Sequence, residues 1–89
     1  MYRVEWLQTA MDELGHVWMQ ADSALRKAIT VASHQIDKRL QSDPENVGES
    51  RPGNRRIEFI APLAVIFQVD ATNNTATVLH VRLYGKRKK

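Results

Sequence analysis

The sequence predicts an α+β domain in which a helical hairpin covers one face of a small antiparallel sheet, in the order β-α-α-β-β-β. Three observations predict it. The chain alternates apolar and polar residues near both ends, with the two-residue period of a strand. Between residues 7 and 42, apolar residues instead recur every three or four positions, the period of a helix. From residue 56 to 84, three alternating runs are separated by turn residues, which is the pattern of a meander. Each helical stripe needs an apolar surface to bury against, and the meander supplies one.

Tyr2 to Trp6 reads as the first strand, with Tyr2, Val4 and Trp6 on one side. Leu7, Met11, Leu14 and Trp18 mark a first helix, with Thr9 and Asp12 placed like a weak capping box. Trp6 and Trp18 are expected in the core. Gly15 costs this helix up to ~1 kcal/mol relative to Ala and is expected at a close packing contact. Asp22 is the expected N-cap of a second helix. Its stripe is Leu25, Ile29, Ala32, Ile36 and Leu40, and Asp43-Pro44 ends it. Two helices with so short a joint fold back as a hairpin.

Residues 44–54 read as a loop. Arg56 to Ile60 is the next strand, with Ile57 and Phe59 expected inward and Arg56 and Glu58 outward. Ala61-Pro62 turns the chain. Leu63 to Val69 follows, with Val65, Phe67 and Val69 as its core set. Asp70 to Asn74 is a turn built on Asn and Asp chemistry. In the last strand, Thr75 to Tyr84, the core set is Thr77, Leu79, Val81 and Leu83, and His80, Arg82 and Tyr84 face the other way.

At 89 residues the chain is one domain, 1–89, with a basic tail at 85–89. Its hydrophobic share of 43% excludes a disordered chain. There is no cysteine, which excludes disulfides and thiolate metal sites and fits a cytoplasmic location. No basic start is followed by an apolar run, so no signal peptide is expected. No apolar stretch is long enough for a membrane span. Residues 1–50 carry five Lys/Arg and eight Asp/Glu, and residues 51–89 carry eight and two, so the positive charge lies in the second half. A positive half favours an anionic partner.

No phosphate-binding loop, nucleophile elbow or zinc-protease motif is present. His16, His34 and His80 lack metal-ligand spacing, so no metal and no cofactor are expected. The candidate site is the open sheet face, where Gln68, His80, Arg82 and Tyr84 are expected beside Arg56 and Glu58. Arg3 and Glu5 extend it. Gly48-Glu49-Ser50-Arg51 opens the basic half, either as an exposed loop or as a phosphate-contacting lip.

The order of these motifs resembles the RelE/ParE superfamily of type II toxin–antitoxin toxins, the plasmid-stabilisation type. The resemblance rests on Tyr2-Arg3-Val4-Glu5-Trp6 before a helical hairpin, Asp43-Pro44, and Gly48-Glu49-Ser50-Arg51 with Arg55-Arg56. Pro62-Leu63-Ala64-Val65-Ile66-Phe67-Gln68-Val69 and the ending Gly85-Lys86-Arg87 complete it, over nearly the whole chain. It implies a toxin neutralised by a cognate antitoxin. RelE-like members cut ribosome-bound mRNA without a metal, as an mRNA interferase. ParE-like members share the fold and inhibit DNA gyrase without catalysis. The leading expectation is the endonuclease. The alternatives are the gyrase inhibitor and a divergent binding module without toxicity. A homodimer is compatible with each.

In the endonuclease, His80, Arg82, Tyr84 and Glu58 are the catalytic candidates: Glu58 or His80 as base, His80 or Tyr84 as acid. Arg51, Arg56, Lys86 and Arg87 are the phosphate-binding candidates. Arg56 and Arg87 match basic residues of the nucleases. Glu58 stands where they carry a second basic residue, and Ala64 where their third strand carries an arginine.

Overall fold

The computed structural model describes residues 1–84; Lys86 and Arg87 lie outside the described residues. Its elements are β1 (Arg3–Trp6), α1 (Gln8–Gln20), α2 (Ser23–Ser42), a 3-10 turn at Pro44–Asn46, β2 (Glu49–Arg51), β3 (Arg55–Ile60), β4 (Leu63–Asp70) and β5 (Thr75–Leu83). They build one five-stranded sheet in the order β1-β5-β4-β3-β2. The helices pack on one face of it. Among the described residues no helix is long and apolar enough to cross a membrane.

The sheet differs from the expected antiparallel one in two ways. β1 runs parallel to β5, so the sheet is mixed. The helical hairpin together with β2, β3 and β4 makes the long connection that a parallel pair requires. The expected loop also contains an extra edge strand, β2, paired antiparallel to β3. Gly48 makes that strand possible. Its φ is +71°, and a Cβ there would lie 2.1 Å from the Ile57 carbonyl oxygen. Only glycine lets the chain swing so close to β3.

α2 follows its sequence pattern. Asp22 caps it, accepting the Leu25 backbone N–H at 2.8 Å, and Ile29, Ala32, Ile36 and Leu40 are buried. α1 is rotated from the expected orientation. Its buried residue is Ala10, with Leu14 and Val17 packed partly behind it. Met11 and Trp18 are exposed by 48% and 37%. Small Ala10 lets the helix approach β5 closely, so the larger residues turn outward. Trp18 therefore leaves the core, and the Arg26 guanidinium lies 5.5 Å from its ring centroid. Trp6 stays half-buried, donating its indole N–H to Asp37 at 2.8 Å. Thr9 lies inside α1, whose N-cap Leu7 makes no side-chain cap. Gly15 meets no atom within 4 Å of where a Cβ would stand, so it marks no close contact.

The remaining corrections concern strand phase. Cross-strand partners share a face. Glu58 pairs with Val65, which pairs with Val81, and Arg56 pairs with Phe67, which pairs with Val78. Those valines and Phe67 are buried under the helices. Arg56 and Glu58 therefore sit on the covered face, and Ile57 and Phe59 on the open one. Ile60 sets the phase: it is buried opposite Leu63 at the turn of the hairpin. In β5 the pairing slips between Ile66 and Phe67, whose partners are His80 and Val78. Leu79 is the extra residue of that bulge. The core set of β5 is therefore Ala76, Val78 and Val81, not Thr77 and Leu79, and Leu83 at the strand's end is exposed. The Asp70–Asn74 turn forms as expected, with Asn73 donating its amide to Asp70 Oδ2 at 2.7 Å.

Candidate functional site

Three rows of side chains cross the open face. The first is Arg55, Gln68 and Thr77, the second Ile57, Ile66 and His80, the third Phe59, Ala64 and Arg82. β2 adds Arg51 to the first row and Glu49 to the second. β1 adds Glu5 beside Thr77 and Arg3 beside Thr75. Tyr84 follows β5, and its ring packs on Phe59 with centroids 4.6 Å apart and planes tilted by 47°. Ala64, between Phe59 and Arg82, is buried.

The structure thus brings His80, Arg82 and Tyr84 to one face, as the alternation predicts below the bulge. It does not bring Glu58 or Arg56 there. Glu58 is paired with Arg39 of α2 at 2.6 Å, its side chain 15% exposed. Arg56 donates to the carbonyls of Val47 at 2.8 Å and Gly48 at 3.0 Å. Its guanidinium holds the turn into β2 and is not available to a phosphate on the other face. Arg51 is on the open face but on β2, three strands from β5, roughly 14 Å away at ~4.8 Å per strand. It is paired with Glu49 at 3.3 Å.

A residue that sequence reasoning missed organises the site. β1 covers the edge of β5 only as far as Val78. α1 begins there, and Glu13 projects from it onto the uncovered edge. Glu13 accepts the Val81 backbone N–H at 2.9 Å, taking the place of the missing strand. The same carboxylate lies 3.4 Å from His80 Nδ1 and 3.8 Å from Arg82. It therefore fixes the backbone below the bulge and holds both basic side chains. Accepting the Val81 N–H holds the Glu13 carboxyl below its ordinary value, with His80 and Arg82 adding to the effect and partial burial opposing it. The signal in the sequence is faint. Glu13 falls one turn after Ala10 on the inner side of α1, where a carboxylate needs a partner.

A depressed carboxyl stabilises the fold above its unfolded pKa, and that contribution is lost as pH falls through the folded value. The expected result is a melting temperature for wild type that exceeds that of Glu13→Gln at pH 7. The gap should shrink as pH drops below the ordinary carboxyl value of 4.5. Melting curves across pH check this; a gap independent of pH would mean that Glu13 acts without its charge.

Among the described residues no cluster of His, Cys, Asp or Glu is arranged to hold a metal ion.

No protein-family model matches the chain, and no curated protein does. Solved structures do. A chain of the RelBE2 toxin–antitoxin complex from Mycobacterium tuberculosis superposes with a TM-score of 0.75 at 16% identity, over 96% of this chain and 93% of that one. The chromosomal ParDE system from P. aeruginosa gives 0.72 at 17%, over 96% and 98%. The isolated E. coli RelE toxin gives 0.65 at 14%, over 99% and 89%. The likeness is one of fold: two helices on a mixed sheet, as in RelE and ParE toxins.

Proposed function

We propose that this chain is the toxin of a toxin–antitoxin pair, held by a cognate antitoxin in the cytoplasm, and that it acts on DNA gyrase by binding and not by cutting RNA. The observation that carries this reading is the makeup of the open face. Its centre is Ile57, Ile66, Phe59 and Tyr84 around the buried Ala64, an apolar surface with Glu49 at one side and His80 and Arg82 at the other. Cleavage by 2′-hydroxyl attack needs a base, an acid and a cation converging on one phosphate. Glu58 is turned to the covered face and paired with Arg39. On the resemblance read from the sequence, Ala64 stands where RelE-like nucleases carry arginine. Arg82 is already drawn to Glu13. Binding requires only the surface.

RNA cleavage remains the second reading, on one specific observation. His80 and Arg82 lie in adjacent rows of the same face, about 7 Å apart along the strand. His80 would be the base, Tyr84 the acid and Arg82 the phosphate cation. The two readings separate in one experiment, in which purified protein is added to a gyrase supercoiling reaction and to translating ribosomes. Inhibited supercoiling with intact mRNA is expected. Cut mRNA that is spared by His80→Ala would establish the second reading instead.

A further inference from the structure

The two edges of the sheet differ. At the β1 edge, Tyr2 donates its backbone N–H to the Gln41 carbonyl of α2 at 2.9 Å, so the helix guards the start of that strand. Among the described residues, β2 has β3 on one side and no strand on the other. Its residues Glu49, Ser50 and Arg51 are all exposed. The Ser50 carbonyl accepts the Arg51 guanidinium at 3.0 Å. A carbonyl answered by a side chain of its own strand is turned to the free edge, and in an antiparallel ladder the N–H of the same residue turns with it. Such an edge is a template for another strand.

The charges on β2 decide which strand fits. Glu49 and Arg51 stand on the open face, one on each side of Ser50. A twofold axis at Ser50 sets the edge against an antiparallel copy of itself. Glu49 then faces Arg51 of the second copy, and Arg51 faces the Glu49 of that copy. Within its own chain Arg51 lies opposite Arg55, and like charges opposite one another destabilise a ladder. The second Glu49 offsets that repulsion. Head-to-tail stacking, β2 of one copy against β1 of the next, meets the reverse pattern. β1 and β2 run in opposite directions in the sheet. With Val4 opposite Ser50, Arg3 faces Arg51 and Glu5 faces Glu49, like against like. The charges therefore select a closed pair over an open filament.

We propose that two copies of this chain form a reversible dimer through β2, with Ser50 on the twofold axis and the two sheets joined into one. Backbone bonds between the two Ser50 residues hold the edges together, and the Glu49–Arg51 pairs fix the register. Pro52, which has no N–H to donate, keeps the shared ladder short. The pairing uses the edge and leaves the open face accessible, so it stands whether or not gyrase is the target.

Sedimentation velocity of the full chain at rising concentration tests it, with Glu49→Arg, Arg51→Glu and the double exchange as variants. Wild type should dimerise. Each single change turns both opposite pairs into like pairs and should raise the dissociation constant about tenfold or more. Mixed in equal amounts, the two single variants should dimerise with each other, because every pair across that interface is again opposite. The double exchange should dimerise as wild type does. Both side chains are exposed, so the variants keep the fold, and circular dichroism checks it. Hydrogen exchange at the Ser50 N–H should slow as wild-type concentration rises. A wild type that stays monomeric up to millimolar concentration, assembly beyond a dimer, or a single variant that dimerises like wild type would each overturn the proposal. So would a mixture that stays monomeric, or exchange at Ser50 that ignores concentration.

Discussion

Phe67→Ala is expected to lower the stability of the protein by about 3–5 kcal/mol. Phe67 has no exposed surface. It sits in the middle of β4, opposite Val78 of β5. It is among the largest fully buried side chains, together with Ile29, Ile36 and Leu40 of α2. Truncation removes the favourable transfer of a ring from water and leaves a cavity that a close-packed interior fills only in part. A domain of this kind is stable by about 5–15 kcal/mol, so the loss is about a fifth of the total at the least. Urea denaturation of the two proteins measures it. Equal midpoints would mean that the helices do not pack on this strand.

The second large effect is expected at Gly48. Gly48→Ala places a methyl 2.1 Å from the Ile57 carbonyl oxygen and 2.8 Å from its carbon, at a φ of +71°. The obstacle is backbone, so no rotamer relieves it. Strain at such a φ costs about 1–3 kcal/mol by itself, and the overlap adds to it. The relief available is detachment of β2 from β3. That detachment would also pull the Val47 and Gly48 carbonyls away from Arg56, which holds both. Hydrogen exchange should therefore quicken at Glu49, Arg51 and Ile57, while β4 and β5 stay protected. Uniform loss of protection would mean that β2 is integral to the core, and an unchanged pattern would mean that the close approach does not exist.

The parts of the fold that were legible in the sequence are those where one physical rule decides. Asp22 has no competitor as a cap, and the α2 stripe has a single inward face. The last strand was half legible. Alternation places His80 and Arg82 correctly, because both lie below the bulge, and misplaces Thr77, because the slip at Leu79 reverses parity. Its trace in the sequence is that Ala76 and Val78 are even-numbered core residues while Val81 is odd. β3 was misread for a different reason. Polar residues were assigned to water, but Arg56 and Glu58 find partners on the covered face, in the Val47 and Gly48 carbonyls and in Arg39. Buried polar groups are tolerated where such partners exist. Those partners are 8 to 19 residues away in the chain, so no local pattern announces them. Glu13 escaped for the same reason. It acts on β5 across 68 residues of sequence, and its role depends on where β1 stops.

The most direct test of the account is gyrase supercoiling by the purified protein, with Phe59→Asp as comparison. Phe59 is 42% exposed on the open face, so the change spares the core while placing a charge in the apolar centre. Wild type is predicted to inhibit supercoiling, Phe59→Asp to inhibit it far less at unchanged fold, and neither to cut ribosome-bound mRNA. Cleavage of that mRNA by wild type, with supercoiling untouched, would contradict the account.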